Sequence, residues 1–144
     1  MANKNYSNVK FLKSKIMGKR DWGEEKLLAL ISKKFSLKYL KIKKGRKGGL
    51  QYHRKKNECG IIISGKLKIR YLGKKGKLLT KILKKGAVFH FPPKSIHQEI
   101  AITDTEIIEA STPHFNDRVR VEEKFGEEYH GGLKTTKKNQ IKIL

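Results

Sequence analysis

Between Glu25 and Glu99 the chain carries a single carboxylate, Glu58, in a stretch crowded with lysine and arginine. His53 stands five residues before it and Gln51 seven before; His97 follows some forty residues later, behind a Gly86-to-Pro93 segment. Gln51, His53, Glu58 and His97 together offer one amide oxygen, two imidazoles and one carboxylate. Such a mixed nitrogen and oxygen set suits a divalent ion, zinc first, with iron, manganese or nickel as alternatives. The competing reading makes these ordinary surface or structural residues of a β protein. Cys59 is the weaker candidate ligand, because on a strand it faces away from its neighbour Glu58.

Strands must bring these donors together. Residues two apart in a strand share a face, so Gln51 and His53 point the same way, and Glu58 shares its face with Gly60 and Ile62. A Lys55-Lys56-Asn57 turn joining two antiparallel strands lets Glu58 meet His53. His97 has to arrive from a strand distant in sequence, which closure of a barrel allows.

The surrounding pattern is β. Lys26 to Ile31 reads as a first strand or a short helix. The alternation Phe35, Leu37, Tyr39 and then Leu40, Ile42 marks a strand, and Leu67, Ile69, Tyr71 another. Gly65-Lys66 reads as a tight hairpin and Gly73 to Lys77 as a second hairpin turn. Short strands at roughly ten-residue spacing, joined by Gly/Lys turns, predict an all-β sandwich or barrel.

At 144 residues the chain is long enough for one domain with a real core. It has no apolar run near the ~18 residues a membrane span needs. Met1 to Lys15 lacks the apolar region of a signal peptide, and the lone Cys59 cannot form an internal disulfide; both favour the cytoplasm. The formal charge of +22 first suggests nucleic acid. The lysines are scattered, however, as pairs such as Lys33-Lys34, Lys43-Lys44, Lys74-Lys75, Lys84-Lys85 and Lys137-Lys138, mostly at turns. No basic stripe or stacking platform accompanies them. The expectation is a diffuse basic surface with weak, salt-sensitive nucleic-acid binding and no specific nucleic-acid or membrane partner. An anionic small ligand such as a sugar phosphate suits this field equally well. A basic nucleic-acid-binding β-barrel is the third functional alternative.

The run from Gly49 through Arg54 to Glu58, with its strand ending at Gly65, resembles the first motif of the cupins. Gly86-Ala-Val-Phe-His-Phe-Pro92-Pro-Lys-Ser-Ile-His97 resembles the second. Where cupins commonly have His-x-His, this chain has Gln51-x-His53, which is similar to the small cupin domain of type II phosphomannose isomerases. Ile61-Ile-Ile-Ser-Gly65, Glu109-Ala-Ser-Thr-Pro113, the Asn116-to-Glu122 run, Phe125-Gly126 and Lys19-Arg-Asp-Trp-Gly-Glu24 also resemble that branch. The resemblance spans about residues 19 to 126. It implies a single cupin jelly-roll (double-stranded β-helix) barrel over 19–126, after a basic segment at 1–18 and before a flexible tail at 127–144. It also implies a metal held by Gln51, His53, Glu58 and His97, and a homodimer.

The activity implied is that of a mannose-6-phosphate isomerase-like enzyme acting on a sugar or sugar phosphate; the alternative is a non-catalytic cupin that binds a sugar or a metal. Aldose–ketose isomerisation moves a proton between C1 and C2, with a divalent ion stabilising the negative charge that develops on oxygen. With Glu58 occupied as a ligand, the proton carrier has to be another group; Lys56, His90 and Glu109 are candidates. Lys56 matches a lysine two before the metal glutamate in the larger phosphomannose isomerases, and its competing reading is a solvated turn lysine. His90 packing on its strand is likewise the plainer alternative. Arg120 could hold a phosphate bidentately, or could form a salt bridge with Glu122. The chain departs from the branch after Glu58, where Cys59-Gly60 replace bulkier residues, at Lys94, where glycine is usual, and at Gly126-Glu127, where Gly-Arg is usual.

Overall fold

The structure, a computed structural model, describes residues 5–17 and 20–127. The described residues form eleven strands: β1 (Lys15–Ile16), β2 (Gly23–Ile31), β3 (Phe35–Ile42), β4 (Gln51–His53), β5 (Glu58–Ser64), β6 (Lys66–Leu72), β7 (Leu78–Lys84), β8 (Val88–Phe91), β9 (His97–Ala101), β10 (Thr105–Ser111) and β11 (Arg118–Arg120). One antiparallel sheet runs β1-β2-β3-β10-β5-β8; the other runs β11-β4-β9-β6-β7. Leu40, Ile42, Ile62 and Ile107 of the first meet Leu67, Ile69, Leu83 and Ala101 of the second. Alternate residues make this core. In β5, Glu58, Gly60 and Ile62 are buried while Cys59 and Ile61 are exposed. The result is the all-β jelly-roll barrel expected from the sequence. No helix among the described residues is long and apolar enough to cross a membrane.

Two local readings are sharpened and two expectations change. Lys26 to Ile31 lies in a strand, since β2 pairs with β3 from Gly23 to Ile31. In β3 the buried face is Ser36, Lys38, Leu40 and Ile42, not Phe35, Leu37 and Tyr39. Five apolar residues at 35, 37, 39, 40 and 42 cannot share one pleated face. The face that wins takes Lys38 inside, where Glu25 partners it at 3.1 Å. The Lys55–Asn57 turn does not join two paired strands: β4 pairs with β9 and β11, whereas β5 pairs with β8 and β10. It carries the chain from one sheet to the other. Gly65-Lys66 is a second such crossing rather than a hairpin, because β5 and β6 lie in different sheets. The hairpin at Gly73–Lys77 is present, with β6 and β7 paired across it.

Within the segment read as a basic N-terminus, β1 pairs with β2, and Met17 is buried against Leu27. The tail from 128, with His130 and Lys137-Lys138, lies outside the described residues, as does Lys19. The lysine pairs at 33–34, 43–44, 74–75 and 84–85 are exposed, but Lys56 is buried.

Candidate metal centre

The two crossings and the barrel closure set the site. β4 lies beside β9 with Gln51 opposite His97, and β5 delivers Glu58 from the facing sheet. His53 Nε2 and His97 Nε2 each stand 3.6 Å from Glu58 Oε1. Donor atoms of His53, Glu58 and His97 all lie within 4.8 Å of one another. Glu58, His97 and Gln51 are buried, and His53 is half-buried.

Each ring is fixed from behind. His53 Nδ1 lies 2.9 Å from Asp117 Oδ1, and His97 Nδ1 lies 2.9 Å from the Ser95 carbonyl oxygen. A carboxylate and a carbonyl only accept, so both Nδ1 atoms carry the hydrogen and both Nε2 atoms keep their lone pairs. Phe91 stacks on His97 at 3.8 Å and 13°. Burial pushes His97 down to about 4, with His53 and Lys56 pushing the same way against the Ser95 hydrogen bond. Burial also lowers His53, despite the raising effect of Glu58. Burial alone would raise Glu58; the Lys56 ammonium and His53 outweigh it and hold the carboxyl below its usual range. Two neutral imidazoles and a carboxylate are the ligand forms a divalent ion needs.

The residues fit such an ion. At 3.6 Å the nitrogen–oxygen contacts are too long for hydrogen bonds. Donors about 2.1 Å from one ion at tetrahedral angles lie about 3.4 Å apart, close to this spacing. Gln51 Oε1 is buried and has no hydrogen-bond partner, an acceptor left for something the protein does not supply.

The other sequence candidates separate. Lys56 is a buried lysine, not a solvated turn residue: its ammonium bridges Glu58 Oε2 and Glu109 Oε1, the latter at 3.2 Å. Burial alone would lower it, but the Glu109 and Glu58 carboxylates more than offset this and raise it, so Lys56 stays a cation and is a poor base. His90 is exposed on the outer face of β8, its Nε2 bonded to Asn57 Oδ1 at 2.7 Å. Alternation puts Phe89 and Phe91 inside and His90 outside, away from the centre. Arg120 Nη1 lies 3.2 Å from Glu122 Oε1 and over Gly49, off the cavity wall. Arg118, two residues earlier and opposite His53, lines the cavity instead.

Asp117, Lys38, Glu25 and Glu99 are site residues that sequence reasoning missed. Four of the 13 acidic residues, Glu25, Glu58, Glu99 and Glu109, line a cavity of about 80 Å³ around the centre. In a chain this basic, that places scarce negative charge at an interior point suited to a cation. Trp22, Gln51 and Glu99 line the same cavity, and Trp22 Nε1, Gln51 Oε1 and Glu99 Oε1 are buried without hydrogen-bond partners.

Glu99 is half-buried as a residue, but its Oε1 is sealed from water. Burial, then Glu109 and Glu58, push its carboxyl up to about 8, against Lys56. With the folded value above the unfolded value of 4.5, stability is lost as pH rises from 4.5 towards 8. In the metal-stripped protein, Glu99→Gln should therefore stabilise by on the order of 2–4 kcal/mol at pH 8 and by little below pH ~4.5. Thermal unfolding at the two pH values checks this; an equal gain at both would show that the effect is not ionisation.

A family model described as the cupin domain matches residues 38–113. No curated protein matches the sequence. Among solved structures, the capsular polysaccharide assembling protein CapF from Staphylococcus aureus aligns at a TM-score of 0.67 and 19% identity, over 77% of this chain and 32% of that one. The chain thus spans about a third of CapF. KdgF from Halomonas sp. aligns at 0.61 and 18% identity, over 72% of this chain and 91% of that one. A single-substitution variant of the oxalate decarboxylase of Bacillus subtilis aligns at 0.67 and 16% identity, over 85% and 39%. At these identities the likeness is one of fold.

Proposed function

This chain belongs to the cupin domain family, and from that premise we propose that it is a divalent-metal protein acting on a small carbohydrate, in the manner of a mannose-6-phosphate isomerase-like aldose–ketose isomerase. The observation that carries the reading is the gathering of His53, Glu58 and His97, their donor atoms within 4.8 Å of one another, in a cavity also lined by Gln51, Trp22 and Glu99, each of which has a buried polar atom without a hydrogen-bond partner. Trp22 Nε1 and the Glu99 carboxyl, unpaired beside the proposed ligands of the ion, suit a hydroxylated ligand better than an apolar one. Gln51, His53, Glu58 and His97 would hold the ion, which when bound supplies positive charge where negative charge develops on adjacent substrate oxygens.

The chain's own groups do the rest. The cavity admits the reacting end of a sugar, and the remainder extends past His114, Phe115 and Arg118. Glu99, which lines the cavity and has a buried oxygen without a partner, takes the role of proton carrier between neighbouring carbons. Arg118 takes the anion-holding role first given to Arg120. Arg118→Ala should raise KM for a phosphorylated substrate about tenfold with kcat little changed, the loss of one charge-assisted contact remote from the reacting carbons. Equal kcat/KM in the variant and the wild type would remove Arg118 from the site.

The test of the whole reading is elemental analysis of the purified protein, followed by a panel of aldose and ketose phosphates. The second reading, a non-catalytic sugar- or metal-binding cupin, is favoured by Lys56: a lysine locked between two carboxylates is not free to move a proton. Bound metal and sugar without turnover of any panel member would select it.

A further inference from the structure

We infer that Lys56 is a positioning residue which takes one oxygen of Glu58 out of use, so that Glu58 meets the ion through Oε1 alone. This rests on the metal reading above. Glu58 divides its two oxygens: Oε1 faces His53 Nε2 and His97 Nε2 at 3.6 Å each, and Oε2 is held by the Lys56 ammonium. The lysine is itself pinned at both ends. Its Nζ is anchored by Glu109 Oε1 at 3.2 Å, from a strand 53 residues away in sequence. Its backbone N–H donates to Asp117 Oδ2 at 2.7 Å, and the Lys55 N–H donates to the same oxygen at 2.7 Å. The other oxygen of Asp117 orients His53. One arrangement therefore fixes a histidine ligand and limits the carboxylate ligand. Lys56 and Glu109 are both buried, so neither swings out to solvent.

A carboxylate free to use both oxygens adds a ligand atom and favours ions that take six or more oxygens; one held to a single oxygen favours low coordination numbers of the zinc and cobalt kind. Lys56 thereby sets coordination number and metal preference rather than moving a proton.

The experiment uses the full chain loaded with Co²⁺, whose visible spectrum reports coordination number, together with Mn²⁺ and Zn²⁺ titrations. Lys56→Met, which keeps length and burial, should weaken and shift the cobalt bands and move the Mn²⁺-to-Zn²⁺ affinity ratio towards Mn²⁺ by about tenfold. Lys56→Arg, which keeps the cation and its hydrogen bonds, should retain the wild-type spectrum. If Lys56→Met does not fold, the double variant Lys56→Met/Glu109→Leu removes both partners, leaves no unpaired buried carboxylate at 109, and should give the same shift. Superimposable spectra and ratios in wild type and variant overturn the inference while leaving the metal reading intact; so does an Arg variant that behaves like Met. A wild-type protein that binds none of the three ions overturns both.

Discussion

Glu58→Gln is expected to lose its divalent ion, with affinity falling by about 100-fold or more, and any turnover with it. The substitution keeps the side chain's shape and removes only its charge. At an effective dielectric of about 20, a unit charge pair about 4 Å apart is worth about 4 kcal/mol, so the missing charge alone exceeds the effect of most ligand changes. The surroundings deepen the loss. Lys56 remains beside the vacated charge, still anchored by Glu109, and a buried cation then faces the centre with less to offset it. His53 and His97 would keep their orienting partners Asp117 and Ser95, so the fold and the ring positions are not what changes. Metal content after purification, and calorimetric titration of the stripped protein with Zn²⁺, read the effect; the thermal unfolding curve of the metal-free variant is the control for folding. Wild-type stoichiometry and affinity in Glu58→Gln would show that the ion, if one is held, is held elsewhere.

The four proposed ligands were legible because their chemistry and local spacing are written along the chain. Two residues on one strand face share a direction, so Gln51-x-His53 needs no tertiary knowledge. A carboxylate alone in a basic stretch stands out in the same way. The contacts that give the groups around them their roles were not legible, because they are non-local. Lys56 looks like any turn lysine until Glu109 arrives from β10 to bury it. Asp117 acquires its role only by reaching His53, 64 residues earlier. Lys38 was hidden for a different reason: β3 carries apolar residues on both faces, and the choice between them is made by what β2 and β10 place opposite, including Glu25. His90 and Arg120 show the converse. Both are residue types that suit catalysis, and both are turned by strand alternation or a nearby Glu122 to structural contacts.

The connections were the other non-local feature, and one of them yields the second large effect. Gly65→Ala should lower stability by about 3–5 kcal/mol, a large share of the ~5–15 kcal/mol typical of a domain, and the melting temperature by roughly 10–20 °C. Gly65 has φ +85°, where an L side chain costs about 1–2 kcal/mol. A Cβ there would also lie 2.1 Å from the Asp104 carbonyl oxygen and 2.8 Å from Thr105 Cα. These are backbone atoms of a strand start that cannot give way. Thr105 is fully buried, its hydroxyl 3.0 Å from Lys66 O and 2.9 Å from Thr103 O, and Lys66 N–H donates to Thr103 Oγ1 at 2.9 Å. A hairpin glycine would behave differently, and the chain supplies the comparison. Gly76 sits in the Gly73–Lys77 hairpin at φ +72° with nothing within 4 Å of its would-be Cβ, so Gly76→Ala pays the conformational cost of about 1–2 kcal/mol and no more. Paired melting curves of the two variants separate crossing from hairpin. Equal losses would mean that the close approach at Gly65 relaxes freely. A far larger loss at Gly65 would mean that the passage of the chain from the sheet bearing Glu58 to the sheet bearing His97 tolerates no side chain at that point.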